Sequence, residues 1–134
     1  MTKPLIEISG LYKVFGPKPM SVMNRVQNGE HKDQILADTG HTVGLKEINL
    51  EINRGEIFVI MGLSGSGKST LASLVATFIT PHDGRVLIDG KDLAKVKLSH
   101  YRSNLGVVLQ DDFLFEGTIK ENILFPRPDA SKAQ

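Results

Sequence analysis

The 134 residues are enough to bury one domain-sized core, and 40% hydrophobic, 23% charged and 6% aromatic content is that of an ordinary globular protein. Sixteen basic against 15 acidic residues leave a formal net charge of +1, so no molecule-wide field recruits nucleic acid or an anionic membrane. The lack of cysteine removes disulfides, thiolate metal sites, iron–sulfur clusters and a cysteine nucleophile, and no apolar run approaches bilayer-spanning or signal-peptide length. A soluble, cytoplasmic, single domain over residues 1–134 is the expectation.

In chain order, residues 4–15 read as a strand carrying Leu5, Ile6, Ile8, Leu11, Val14 and Phe15. Residues 16–44 are more polar. There Met20, Met23 and Val26 recur at helical spacing, and Lys32, Asp33, Ile35 and Leu36 suggest a second short helix stopped by Gly40. This stretch reads as a helical insertion of one or two helices. Leu45, Ile48, Leu50 and Ile52 predict a strand that turns at Asn53-Arg54-Gly55.

Ile57-Phe58-Val59-Ile60-Met61 is a continuous apolar run of strand length, the pattern of a central strand buried on both faces. A glycine-rich turn follows, and Leu71, Leu74, Val75 and Phe78 then mark an amphipathic helix ending near Pro81. Arg85 to Asp89 reads as a strand with Asp89-Gly90 as a hairpin turn, and Gly106 to Leu109 as another short buried strand. Thr118 to Leu124 predicts a short helix capped near Gly117 or Thr118. The tail, 126–134, reads as loose, and no internal repeat is present.

The chemistry is concentrated in Gly62-Leu63-Ser64-Gly65-Ser66-Gly67-Lys68-Ser69, which satisfies G-x-x-x-x-G-K-[ST] at every defined position. A polyphosphate packs several negative charges into a small volume. Backbone N–H groups of a glycine-rich turn converge on it, and a following helix adds its unsatisfied donors and positive dipole end. In this arrangement Lys68 reaches the β- and γ-phosphates, Ser69 offers a hydroxyl to Mg²⁺, and Thr70 supports the phosphate side. The spacing Gly62, Gly65, Gly67 is not the G-x-G-x-x-G of a dinucleotide fold, so the site is one for a mononucleotide polyphosphate.

These residues resemble the ATPase domains of ABC transporters. GLSGSGKST, Gly62 to Thr70, is similar to their Walker A, and GLKEINLEI, Gly44 to Ile52, with Gly55-Glu56 is similar to the strand and turn before it. The resemblance makes Phe15, in Tyr12-Lys13-Val14-Phe15-Gly16, an aromatic that stacks on adenine, with Tyr12 the weaker candidate; the other reading is a strand-end core residue. It also makes Gln110, after Gly106-Val107-Val108-Leu109, a Q-loop glutamine that ligates Mg²⁺ and couples the site to a transmembrane partner; the other reading is a strand cap.

The resemblance changes character along the chain. Residues 16 to about 70 resemble importer ATPases of the glycine betaine/proline type, whose extra helical segment would account for the insertion, whereas residues from about 71 resemble exporter-type ATPases. A seam near the start of the P-loop helix, as in a chimera, is the expectation, with an unusual natural subfamily as the alternative. Val86-Leu87-Ile88-Asp89, followed by Gly90, and Val107-Val108-Leu109-Gln110-Asp111 are imperfect matches to the family's Walker B strand. No catalytic Glu, LSGGQ signature or switch histidine can be placed, and Asp111 and Asp112 are better read as loop solvation or a helix cap. His31, His41, His82 and His100 lie in polar or turn stretches and read as solvated surface.

The fold implied is α/β, a P-loop NTPase half-domain. It has a mixed sheet with a central P-loop strand followed by a helix, antiparallel N-terminal strands and a short helical insertion. The implied cofactors are ATP and Mg²⁺, held by Phe15, Gly62, Leu63, Ser64, Gly65, Ser66, Gly67, Lys68, Ser69, Thr70 and Gln110, with Ser69 and Gln110 on the metal. The length fits the N-terminal half of a family domain, with hydrolysis weak or nil. Implied partners are the nucleotide, a second copy through self-association and, in full-length relatives, a transmembrane permease on the cytoplasmic membrane face, with no nucleic acid and no membrane insertion. A non-catalytic nucleotide-binding module is the main competing function. A small P-loop kinase is disfavoured because Arg85, Arg102 and Arg127 are scattered rather than clustered as on a lid, and a polyanion-binding loop because it lacks a basic surface.

Overall fold

A computed structural model describes residues 3–108, 114–126, 128 and 130. Its frame is a four-stranded antiparallel sheet in the order β2-β1-β3-β4, formed by β1 (Ile6–Phe15), β2 (Thr42–Ile52), β3 (Asp83–Ile88) and β4 (Lys91–Asp92). Strand β1 is central, pairing Ile6 with Ile52 on one side and with Ile88 on the other. Between β1 and β2 lie a 3-10 turn (Pro19–Val22) and two helices, α1 (Met23–Gln27) and α2 (Lys32–Thr39). Helix α3 (Lys68–Val75) follows the P-loop, and α4 (Leu98–Arg102) and α5 (Ile119–Leu124) complete the described helices.

Register irregularities in β1 and β2 decide which helices pack where. Side chains alternate across a strand, so one extra residue sends everything after it to the opposite face. Strand β1 gains such a residue between Ile8 and Leu11, where the Gly10 N–H donates to Asn49 Oδ1 at 2.8 Å. Strand β2 gains its own between Leu45 and Ile48, at Glu47 with φ 52°. Ile8 and Leu11 therefore share one face although their spacing is odd. They pack with Leu45, Leu71, Leu74, Val86 and Leu93 under α3. Tyr12 and Val14 take the other face and pack with Val22, Met23, Val26 and Ile35 of the inserted helices.

Helix α3 is shorter than its apolar spacing suggests. Thr77 adopts φ 62°, and Arg102 holds its carbonyl at 2.7 Å and its hydroxyl at 2.9 Å, so Phe78 leaves the helix and is exposed. The β3–β4 turn has positive φ at both Asp89 (49°) and Gly90 (72°), the tight hairpin geometry that Asp-Gly favours. Helix α5 carries a reciprocal cap in which Glu121 N–H donates to Thr118 Oγ1 and Thr118 N–H donates to Glu121.

The expected central strand over residues 57–61 is not formed. These residues have no regular structure, and Ile57 (92%), Val59 (68%) and Met61 (86%) are largely exposed. The physical reason is that apolar content supplies a strand's faces but not its ladder. Among the described residues no strand lies beside this segment, because the antiparallel sheet ends at β2 on one side and β4 on the other. Gly106, Val107 and Val108, expected in a second buried strand, are likewise irregular and exposed, and Leu109 lies outside the described residues.

Candidate functional site

The glycine-rich loop folds back on its own lysine. Lys68 Nζ donates to the carbonyls of Gly62 at 2.5 Å and Leu63 at 2.7 Å and to Ser66 Oγ at 3.2 Å, while Ser66 N–H donates to Leu63 O at 3.2 Å. The ammonium is thus held over the loop at the first turn of α3. No side chain caps that helix end, whose N-cap is Gly67 at φ 88°. The first-turn N–H groups of Lys68, Ser69 and Thr70 have no intrahelical acceptor by construction. Ser64 and Ser69 are exposed, while Thr70 is half-buried where α3 meets the sheet.

Gly44, on β2, joins this loop to the aromatic at the end of β1. A β-carbon on Gly44 would stand 2.6 Å from the Phe15 ring, and one on Gly67 would stand 2.6 Å from Gly44 O and 2.8 Å from Leu45 Cδ2. The strand backbone is therefore clasped between the ring and the start of α3, and no side chain fits at either glycine. Phe15 itself is 41% exposed, with Lys13 Nζ 5.6 Å from its ring centroid. Tyr12 is buried in the core under the inserted helices, facing away from the loop. Gln110, Asp111 and Asp112 lie outside the described residues, as does Arg127, and Arg102 is committed to Thr77.

The histidines divide. His31 and His100 are exposed, but His41 and His82 are structural, which corrects the expectation that all are solvated surface. His41 is buried with Nδ1 3.0 Å from Thr39 O, and its Nε2 accepts from the Lys18 N–H at 3.3 Å. His82 Nδ1 accepts from the Val14 N–H at 3.2 Å, beside Lys13, whose ammonium donates to Thr80 O at 2.7 Å. Burial, and then the Lys13 charge, push the His82 imidazole below its ordinary value, and burial lowers Lys13 as well. Both histidines lie near chain turns, so polar local sequence gave no sign that the ring nitrogens would be recruited by distant backbone.

A family model described as ABC transporter matches residues 45–134, from within β2 through the P-loop and α3 to residue 134. The chain belongs to the ABC transporter family. The glycine betaine/proline betaine transport system ATP-binding protein ProV of Escherichia coli (strain K12) is 50% identical over 97 residues, 72% of this chain and 24% of that protein. The putative multidrug export ATP-binding/permease protein YgaD of Bacillus subtilis (strain 168) is 47% identical over 87 residues, 65% of this chain and 15% of that protein. Among solved structures, a bacterial Atm1-family ABC exporter with ATP bound is 34% identical with a TM-score of 0.72, over 98% of this chain and 19% of that one. The chain therefore spans about a quarter of the length of ProV and less of YgaD and of the Atm1-family exporter. The windows matched by ProV and YgaD, 97 and 87 residues, are too long to be separate on this chain, so they overlap.

Proposed function

We propose that this chain binds Mg–ATP through Gly62 to Thr70 as the nucleotide-binding part of an ABC transporter ATPase. The observation that carries this reading is the Lys68 ammonium poised over a glycine loop at an uncapped helix start. Phosphate oxygens are better acceptors for that ammonium than two neutral carbonyls, since charge-assisted hydrogen bonds are about twice as strong as neutral ones. The first-turn N–H groups of α3 supply further donors along the dipole axis. Phe15, tied to the loop through Gly44, offers its exposed ring to the base; Leu63 to Ser66 line the phosphate path.

A magnesium ion suits the hard oxygen donors on offer, the Ser69 hydroxyl in the first turn of α3 and, from sequence, the Gln110 amide. Among the described residues no group of three His, Asp or Glu side chains forms a metal cage. Mg²⁺ at a nucleotide site needs none, because it keeps waters and takes phosphate oxygens alongside one or two protein ligands. Held there by Ser69 and Gln110, it would supply neutralisation of part of the phosphate charge. Binding is the step these residues support.

The same reading makes the partners a permease subunit at the cytoplasmic membrane face and a second copy of the chain, and places a junction between importer-like and exporter-like sequence near the start of α3. No described helix is long and apolar enough to cross a membrane. The test is a calorimetric titration with Mg–ATP. Lys68→Ala is expected to weaken binding about 10- to 100-fold, the worth of a lost charged contact of about 1.5–3 kcal/mol. Unchanged affinity would overturn the assignment.

A further inference from the structure

The inserted helices do more than cover the back of the sheet. A cleft of about 340 Å³ runs between them and the P-loop, with Gly29 to Lys32 on one wall, Val43 to Lys46 on its floor, and Gly65 and Ser66 on the other wall. Two cations line it, Lys32 at the start of α2 and Lys46 on β2. Lys46 Nζ reaches across to the insertion, 3.8 Å from where a β-carbon on Gly29 would stand. Neither ammonium has a hydrogen bond or ion pair among the described residues.

The one carboxylate on the cleft wall, Glu30, is taken. Arg25 holds it through two guanidinium contacts, one of them to Nε at 2.7 Å, and Arg25 also holds Asp38 at 2.6 Å. These bonds keep Glu30 well below the usual carboxylate range, so it stays charged but is neutralised by its own partner. His31, also on this wall, faces Asp33 at 3.5 Å. The cleft therefore presents uncompensated positive charge beside the phosphate loop.

We infer that the insertion is an outer wall of the nucleotide site, with Lys32 and Lys46 holding the α-phosphate and ribose oxygens of a nucleoside triphosphate. This rests on the nucleotide-binding reading above. The placement follows from the floor of the cleft: Gly44 lies between the Phe15 ring and the helix start that receives the terminal phosphates, so the middle of a nucleotide spanning the two passes over Val43 to Lys46. Both lysines are exposed, so their removal leaves the core intact.

The experiment is titration of the 134-residue chain with Mg–ATP, comparing Lys32→Ala, Lys46→Ala, the double variant and Lys46→Arg, with Lys68→Ala alongside. Each single alanine is expected to weaken binding about 3- to 5-fold, and the pair about 10-fold or more. Lys46→Arg should restore affinity, and the gap between wild type and double variant should close as salt rises. Wild-type affinity in the double variant, with Lys68→Ala impaired, overturns the inference and leaves the P-loop reading standing. Wild-type affinity in Lys68→Ala overturns the P-loop reading and this inference with it.

Discussion

Phe15 shows how much of a ligand site can depend on one side chain whose local role is ambiguous. It ends β1, pairs with Thr42 and keeps 41% of its surface, and its ring rests against the only kind of residue that admits it, Gly44. A strand-end residue that existed only for packing would bury its ring; this one offers a face beside the cleft leading to the P-loop. Phe15→Ala should therefore cost Mg–ATP binding about 1 kcal/mol, the scale of an aromatic contact. It should also narrow the preference for ATP over GTP, measured by paired titrations. An equal loss for both nucleotides would assign the ring to packing. The P-loop glycines and Lys68 were legible from sequence because the motif is contiguous. Gly44, Lys32 and Lys46 were not, because their importance comes from what a distant segment places against them.

At the scale of elements, the insertion is held by charge as well as by its apolar face. Val22, Met23, Val26 and Ile35 bury against Tyr12 and Val14, while Arg25 ties α1 to α2 through Glu30 and Asp38. Hydrogen bonds from Arg25 depress both carboxyl groups, with Gln34 adding to the effect on Asp38. A carboxyl whose folded value lies below its unfolded value stabilises fully above the unfolded value, and the contribution is lost as pH falls through the folded one. The hairpin should then loosen below about pH 4, not near neutrality. The check is the melting temperature of wild type against Arg25→Met at pH 7 and across pH 5 to 3: the difference should shrink towards the acid end. A constant difference would mean that Arg25 contributes through its aliphatic stem alone. The caps and turns of these elements, Gly40 after α2 and Asp89-Gly90 after β3, could be read locally because their conformations need particular residues. The bulges could not, since an extra residue leaves both strands apolar and changes only which face each residue takes.

For the whole molecule, the segment from Ile57 to Met61 is the largest departure from sequence expectation, and it carries the consequence for solution behaviour. Apolar composition predicted burial, but burial in a sheet requires neighbours that accept the strand's hydrogen bonds, and none stands there among the described residues. Ile57, Val59, Met61 and Leu63 consequently form an exposed apolar row, with Val107 and Val108 also exposed further along the chain. An exposed apolar row outside any strand ladder is a template for pairing with an identical row. The net charge of +1 provides almost no long-range repulsion to oppose it. The chain should therefore self-associate as concentration rises, read as an increasing mass by sedimentation velocity. Val59→Lys, which puts a charge in the middle of the row without touching either buried cluster, should shift the distribution towards monomer while leaving the circular dichroism spectrum unchanged. A monomer at every concentration, or a Val59→Lys variant that associates like wild type, would show that the row is not the contact. Because Gly62 and Leu63 supply the carbonyls that hold Lys68, pairing along this row would also stiffen the loop that leads into the phosphate site. Association and Mg–ATP affinity should then rise together in wild type and separate in Val59→Lys.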